Sequence, residues 1–161
     1  MKGIYLLLGT NLGDRAKNLA TARNLLEEQK IAIKALSAVY ETDAWGIEEQ
    51  PGFLNQVLKV ATDLSAKELL KTILGVELEM GRVRIQKWGE RLIDIDILYY
   101  QDQVIDTDEL KVPHPEIQNR RFTLVPLVEL AAEEVDPVSG NTQQELLAVC
   151  PDRLEVRMPS L

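Results

Sequence analysis

The chain contains few of the residues that build disulfides, metal sites and aromatic cores: one cysteine, one histidine and two phenylalanines among 161 residues. The single cysteine, Cys150, excludes an intramolecular disulfide and a zinc site built from cysteines, and it fits a reducing cytoplasm. Long hydrophobic runs are also missing, since the apolar run at residues 4–8 is too short for a signal-peptide core or a membrane span. We therefore expect a cytoplasmic protein that does not enter the membrane.

Positive charge is scarce as well. Lys and Arg number 18 against 26 Asp and Glu, which gives a net charge of -8 and a pI near 4.8. This balance argues against a protein whose whole surface binds nucleic acid or an anionic membrane, although it allows a local basic site. The apolar fraction of 45% and the charged fraction of 27% are ordinary for a globular protein of one domain. We expect a single domain over residues 1–161, acting as a monomer.

The hydrophobic periodicity predicts the order strand, helix, strand, strand, helix, strand up to Tyr100. This is the order of the split βαβ unit, so we expect an α+β ferredoxin-like sandwich: an antiparallel sheet with helices packed on it, plus C-terminal helical and hairpin decoration. The predicted strands cover residues 4–8, 31–40, 53–62 and 92–100, the helices cover 15–29, 65–80 and 122–132 and begin again at Thr142, and residues 41–52 form a long loop. Asp14 is a predicted N-cap, and Ser65 with Glu68 forms a capping box.

The predicted strand 92–100 carries the sharpest functional signal. Asp94 and Asp96 are two residues apart, so their side chains leave the same face roughly 6.6 Å from each other and can converge on divalent ions. Mg²⁺ suits such a site, because it keeps waters and takes its remaining ligands from phosphate oxygens. A solvated strand face is the other interpretation of an alternating Asp pair. The pattern puts Leu92, Leu98 and Tyr100 beside the aspartates, and Ile93, Ile95, Ile97 and Tyr99 on the opposite face.

A basic segment, residues 82–91, precedes this strand and holds four cations against one anion: Arg82, Arg84, Lys87 and Arg91 with Glu90. Arginine suits phosphate because its planar guanidinium forms bidentate hydrogen bonds and stays charged. A polyphosphate held by Mg²⁺ and by this segment therefore makes electrostatic sense. The alternative is a basic loop that pairs with the acidic surface around it. Trp88 next to Gly89 suggests a flap that closes on a flat ring, or else a core tryptophan.

Residues 112–122 add a second set of candidates. His114, the only histidine, lies between two prolines and can donate to phosphate, transfer a proton, or bond a nearby backbone carbonyl. Arg120, Arg121 and Phe122 then place two cations and an aromatic ring before a helix, where they can bind phosphate or a ring.

Seven motifs occur in an order that closely resembles the 6-hydroxymethyl-7,8-dihydropterin pyrophosphokinase family of folate biosynthesis. The resemblance runs from Ile4 to about Val135, and it implies a ferredoxin-like α+β fold. It also implies transfer of the β,γ-pyrophosphoryl group of ATP to the hydroxymethyl oxygen of the pterin, with release of AMP. The motifs are GTNLGD at 9–14, YETDAWG at 40–46, QPGFLNQV at 50–57, EMGRVR at 79–84, WGERLIDIDIL at 88–98, VPHP at 112–115 and NRRF at 119–122.

The resemblance further implies roles for single residues. Asp94 and Asp96 would hold two Mg²⁺ ions that bridge the triphosphate, and Arg82 and Arg91 would neutralise charge on the transferred group. The ring of the pterin would stack between Phe122 and either Trp45 or Phe53. The implied ATP-binding residues are Glu77, Arg84, Lys87, Trp88, Arg91, Ile97, Lys111, His114 and Arg120, and the implied pterin-binding residues are Thr42, Asp43, Trp45, Gly46, Phe53, Asn55, Trp88 and Phe122.

Two other functions fit the same residues. A different Mg²⁺-dependent nucleotidyl or phosphoryl transferase could use Asp94 and Asp96, but it would release pyrophosphate or ADP instead of AMP. A ferredoxin-like regulatory module would bind a small molecule without turnover and without regard to Mg²⁺. The basic segment beside the Asp pair argues against the second alternative.

Overall fold

The computed structural model describes residues 1–43, 52–81 and 92–159. Within these ranges the chain forms a five-stranded sheet and a separate two-stranded sheet. Among the described helices, none is long and apolar enough to cross a membrane. The strands are β1 (Ile4–Thr10), β2 (Ala32–Leu36), β3 (Tyr40–Thr42), β4 (Phe53–Ala61), β5 (Asp94–Tyr100), β6 (Ile105–Asp106) and β7 (Lys111–Val112). The helices are α1 (Arg15–Glu28), α2 (Ala66–Glu79), α3 (Arg121–Ala131) and α4 (Gln143–Ala148). A 3-10 turn at Ile117–Asn119 precedes α3.

The main sheet has the order β2-β4-β1-β5, with β3 also paired to β4, and these pairs are antiparallel. This order confirms the predicted split βαβ arrangement. β1 is buried on both faces, as its apolar run predicts, because successive side chains of a strand point to opposite sides. Leu6 and Leu8 pack against α1 and α2 together with Leu19, Leu69 and Ile73. Tyr5 and Leu7 pack on the other face against α3 and α4, together with Leu124, Leu127 and Leu146.

The helix starts follow the predicted cap chemistry. The Asp14 side chain accepts a hydrogen bond from the backbone N–H of Lys17 at 3.1 Å, at the start of α1. Ser65 and Glu68 form the capping box of α2, and Thr142 with Glu145 forms another at α4. Each cap satisfies backbone N–H groups that the first helical turn leaves without a partner.

The predicted strand 31–40 is wrong in its extent, because the structure divides it into β2 and β3. The Ser37 hydroxyl accepts from the backbone N–H of Val57 at 3.0 Å, where a strand would offer a carbonyl. The chain resumes pairing only at Tyr40, opposite Asn55. Thr42, predicted to lie in the loop, is therefore part of β3, and residues 44–51 of that loop lie outside the described residues.

The predicted faces of β5 are correct at its start and wrong at its end. Tyr5 of β1 pairs with Tyr99, whereas Leu6 pairs with Ile97, so Leu98 is an extra residue that forms a bulge. Leu98 and Tyr99 both face α3 and α4, and Tyr100 returns to the side of α1 and α2. Tyr99 thus joins the face of the aspartates in place of Tyr100, and a strictly alternating pattern cannot anticipate this change.

Candidate active site

A cleft of about 630 Å³ opens on the face of the sheet that carries the aspartates, beside the start of α3. Strands β1, β4 and β5 supply its floor, and β3, the chain around α3 and the chain after α4 supply its walls. Eight of the nineteen predicted site residues line it. The lining residues are Leu7, Gly9, Thr42, Asp43, Phe53, Asn55, Asp94, Asp96, Asn119, Arg120, Phe122, Pro151, Asp152 and Leu154.

The floor is a cross-strand row that the register of the sheet creates. Gly9 pairs with Asn55 on one side and with Asp94 on the other. Gly9 keeps the row open, since a Cβ at this position would lie 3.3 Å from the Asn55 Oδ1. Its neighbour Leu7 pairs with Asp96. Gly9 and Leu7 were not predicted as site residues, because only their pairing with distant strands brings them to the site.

The entry to β5 is fixed by bonds to β1 and α1. The Leu92 carbonyl accepts from the Thr10 Oγ1 at 2.6 Å and from the Asn18 Nδ2 at 3.4 Å. The Asp94 and Asp96 side chains then face the cleft, as predicted, and both are half-buried. Among the residues that the structure describes, no cluster of three or more His, Cys, Asp or Glu could hold a metal ion. Within the described residues, the aspartates therefore supply only part of a cation's coordination shell.

Among the residues predicted to bind the pterin, Thr42, Phe53 and Asn55 lie at the other end of the cleft. The buried Asn55 donates from Nδ2 to the Thr42 Oγ1 at 3.2 Å. This bond holds the amide so that its Oδ1 lies over Gly9. Phe53 pairs with Thr42 across the strands.

Arg15, at the start of α1, links the two chain segments on either side of residues 44–51. Its Nη1 contacts the Glu41 Oε2 at 2.6 Å and the Gly52 carbonyl at 2.7 Å. This link fixes where β3 ends and β4 begins, and so it fixes the wall that carries Thr42 and Asp43.

The opposite wall carries Arg120 and Phe122 at the start of α3. The Arg120 guanidinium carbon lies 5.7 Å from the centroid of the Phe122 ring, within the range of a cation–π contact. The ring and the guanidinium therefore act as one unit beside the cleft. Phe53 offers a second aromatic ring from the sheet, so the lining suits a flat ligand.

His114 lies next to this wall and does not line the cleft itself. Burial lowers the pKa of His114, the Arg120 charge lowers it further, and the charges of Asp96 and Glu116 oppose both effects. The lowered pKa favours the neutral ring, and its Nδ1 accepts from the backbone N–H of Glu116 at 3.1 Å. With Nδ1 as the acceptor, a neutral ring carries its proton on Nε2, and this form can donate a hydrogen bond.

Besides His114, three further predicted ATP-binding residues lie away from the cleft lining. The buried Glu77 accepts from the backbone N–H of Ile95 at 2.8 Å, and so it binds the edge of β5. The Ile97 side chain packs in the core under α1 and α2. Lys111 pairs with Asp106 at 2.5 Å across β6 and β7, and this contact lowers the pKa of Asp106. The predictions for Trp45, Gly46, Arg82, Arg84, Lys87, Trp88 and Arg91 lie outside the described residues.

The comparisons with known proteins point to one family. A family model described as 7,8-dihydro-6-hydroxymethylpterin-pyrophosphokinase matches residues 5–132. A protein of Aquifex aeolicus, named 2-amino-4-hydroxy-6-hydroxymethyldihydropteridine pyrophosphokinase, is 49% identical over 145 residues, which cover 90% of each chain. A Bacillus subtilis protein of the same name is 40% identical over 143 residues, covering 88% of this chain and 86% of the relative.

The fold has a counterpart among solved structures. A crystal structure titled Plasmodium falciparum HPPK-DHPS wild type with pteroate has a TM-score of 0.71 at 19% identity. The match covers 90% of this chain and only 41% of that longer chain, and it bears on the fold alone. The sequence matches go further, because they combine high identity with nearly full coverage. The chain belongs to the 7,8-dihydro-6-hydroxymethylpterin-pyrophosphokinase family.

Proposed function

We propose that the protein uses the described cleft to transfer the β,γ-pyrophosphoryl group of ATP to the hydroxymethyl oxygen of 6-hydroxymethyl-7,8-dihydropterin. The reaction is that of the family, belongs to folate biosynthesis and releases AMP. The observation that carries the site assignment is the row Asp94–Gly9–Asn55, which joins a carboxylate end of the cleft to an aromatic and amide end. One end suits a metal-bound triphosphate and the other suits a flat polar ring.

The amide end fits a pterin. Phe53 and Phe122 can contact the ring through offset or edge-to-face geometry, which aromatic pairs prefer. The Asn55 Nδ2 is bonded to Thr42, and its Oδ1 lies over Gly9. That oxygen can accept from the N–H groups at the edge of the ring. A buried amide fixed in this way discriminates strongly, because a ligand without the matching donor leaves it unpaired.

The carboxylate end fits Mg²⁺. A triphosphate beside Asp94 and Asp96 meets like charge unless cations lie between them. Their hard oxygens suit Mg²⁺, whose remaining ligands come from phosphate oxygens and water. When bound, the metal would neutralise charge on the phosphates. We propose that the two aspartates hold two such ions together with the triphosphate of ATP.

The remaining roles belong to cations and hydrogen-bond donors around the triphosphate. His114 would donate from Nε2, and Arg120 would contact phosphate beside Phe122. Arg82 and Arg91 would meet the charge on the transferred group, so their loss should lower kcat more than it raises KM. Arg84, Lys87 and Trp88 would bind the nucleotide from the same basic segment. Catalysis would then rest on positioning and charge stabilisation, which phosphoryl transfer requires more than a strong base.

The test is the nucleotide product formed from ATP, Mg²⁺ and the pterin. We expect AMP to form only when the pterin is present. AMP formation should stop after chelation of divalent cations and resume when Mg²⁺ is added. Formation of ADP or pyrophosphate would indicate a different transferase. Turnover that survives chelation would contradict the metal assignment.

A matched pair of variants tests the aspartates. We expect Asp96→Asn to lower turnover by more than about a hundredfold, because charge stabilisation at the reacting phosphates is lost, while pterin binding changes little. Asp63→Asn makes the same chemical change at an exposed position outside the cleft and should leave both values unchanged. Asp96→Asn keeping most of the rate would refute the metal role.

We also propose that the chain acts as a monomeric single domain in the cytoplasm. The buried free Cys150 supports a reducing compartment. Light scattering across a range of protein concentrations tests the monomer, and a mass twice that of the chain would contradict it.

A further inference from the structure

Residues 151–159, here called the C-terminal strap, form one wall of the cleft. The strap follows α4 and lies beyond the family match, which ends at residue 132. Pro151, Asp152 and Leu154 of the strap line the cleft together with the sheet and α3. No role was predicted for these residues, so the strap is a wall without an assigned function.

The first attachment of the strap is at the start of α3. The Asp152 Oδ2 accepts from the backbone N–H of Arg121 at 3.0 Å, and its Oδ1 accepts from the backbone N–H of Leu154 at 2.9 Å. The N-cap residue Arg120 provides no side-chain cap, so Asp152 acts as the cap of α3 from a distant part of the chain. A carboxylate at this helix end is favourable, because it meets free N–H groups and the positive end of the helix dipole.

The second attachment is on β3. The Arg157 N–H donates to the Glu41 carbonyl at 3.0 Å, and the Glu41 N–H donates to the Arg157 carbonyl at 2.6 Å. The Arg157 Nη2 also contacts the Asp43 Oδ1 at 2.8 Å. The ion pair is partly exposed, and such pairs contribute little by themselves. The paired backbone bonds therefore hold this end of the strap, and the ion pair orients Asp43.

Leu154 lies between the two attachments and faces the cleft as a half-buried apolar side chain. The strap thus runs from the wall that carries Phe122 to the wall that carries Thr42 and Asp43. We propose that Leu154 contacts the bound pterin ring and helps to determine its affinity, and that Asp152 positions it there. This inference rests on the proposed function, since the occupant of the cleft is taken to be the pterin.

The test is a direct titration of the pterin into the full-length protein, followed by steady-state kinetics with ATP. Loss of the apolar contact in Leu154→Ala predicts roughly a five- to twentyfold weaker pterin affinity. We expect kcat and the KM for ATP to stay unchanged, as for an interaction equally strong in the ground and transition states. Met158→Ala is the control, because Met158 is on the same strap, is 61% exposed and does not line the cleft.

Variants of Asp152 separate positioning from a general structural effect. Asp152→Ala removes both hydrogen bonds and should weaken pterin affinity without changing the KM for ATP. Asp152→Asn keeps one carbonyl acceptor and should give an intermediate pterin affinity. Loss of the α3 cap should lower the thermal unfolding midpoint in either case, but a merely structural role would change both KM values together.

Two results would overturn the inference. One is a pterin affinity of Leu154→Ala equal to that of Met158→Ala, and the other is an equal loss of pterin and ATP binding in Leu154→Ala. If the wild-type protein forms AMP while either result holds, the strap inference fails and the proposed function stands. If the wild-type protein neither binds the pterin nor forms AMP, the proposed function fails and the inference fails with it.

Discussion

Gly52, at the start of β4, is a position where a single methyl group should disturb the cleft. A Cβ at this residue would lie 2.5 Å from the Thr42 carbonyl oxygen and 3.3 Å from the Glu41 Oε2. Arg15 bonds both Glu41 and the Gly52 carbonyl, so the two chain segments are held together at this point. Gly52→Ala must therefore move β3 or β4, and with it the wall that carries Thr42 and Asp43.

The expected size of the effect follows from the overlap. An ordinary contact of about 3.4 Å requires Thr42 to move by about 0.9 Å from the 2.5 Å separation. Forcing such a shift in a packed region costs about 1–3 kcal/mol of unfolding free energy. For a chain of this size, that corresponds to a fall of roughly 2–12 °C in the unfolding midpoint. Pterin affinity should also fall, because Thr42 orients Asn55.

Thermal unfolding and pterin titration measure both effects, with Gly75→Ala as the matched control. Gly75 is exposed within α2, and a Cβ there would meet no atom within 4 Å. The same substitution should stabilise the helix by about 0.5–1 kcal/mol, since alanine has less conformational freedom to lose. A Gly52→Ala protein as stable as Gly75→Ala would refute the steric reasoning. A destabilised protein with normal pterin affinity would refute the link to the cleft.

Two further predictions concern Glu77 and Tyr40, which support strands of the site without lining the cleft. Glu77→Met fills a similar volume but leaves the Ile95 N–H without its acceptor. Urea unfolding should therefore show a loss of about 1–3 kcal/mol in unfolding free energy, and AMP formation should slow. An unchanged urea midpoint would contradict the role of Glu77 in holding β5. Tyr40 donates to Glu129 at 2.7 Å, and Tyr40→Phe should cost about 1 kcal/mol at neutral pH. Burial and this bond raise the pKa of Tyr40 from 10.0 to about 12. The difference in unfolding free energy between the wild type and Tyr40→Phe should therefore be complete below pH 10 and should vanish as the pH rises to 12. A difference that does not change with pH would refute the role of this hydrogen bond.

Much of the fold could be predicted because its signals are local. The caps at Asp14, Ser65 and Thr142 depend on residues within one helical turn, and the structure confirms them. The bulge at Leu98 depends instead on how β5 pairs with β1. The break between β2 and β3 likewise depends on Ser37 replacing a carbonyl opposite Val57. Neither feature can be recognised from the hydrophobic periodicity of its own segment.

The site residues likewise divide into those with a signal in the local sequence and those that only the tertiary structure brings to the cleft. Asp94 and Asp96 were predictable because two carboxylates alternate on one strand, and Phe53 and Asn55 because they belong to motifs of a known family. Gly9 has no side chain to attract notice, and only the register places it between Asn55 and Asp94. Asp152 and Leu154 are ordinary residue types, more than fifty residues beyond the aspartates, and their contact with the cleft is visible only in three dimensions.

The chain beyond β5 was predicted to be helical and hairpin decoration that carries a few site residues, and in the structure it supplies walls of the cleft. In this sheet α1 and α2 cover one face, and α3 with α4 covers only part of the other, over Tyr5 and Leu7. Among the described helices, none packs over the row Asp94–Gly9–Asn55. The start of α3 and the strap line the cleft beside this row, and shielding from water strengthens both charge interactions and the selectivity of a buried amide. Under the proposed function, Asp94 and Asp96 would bind the metal, and Phe122 and the strap would limit the access of water to the cleft around them.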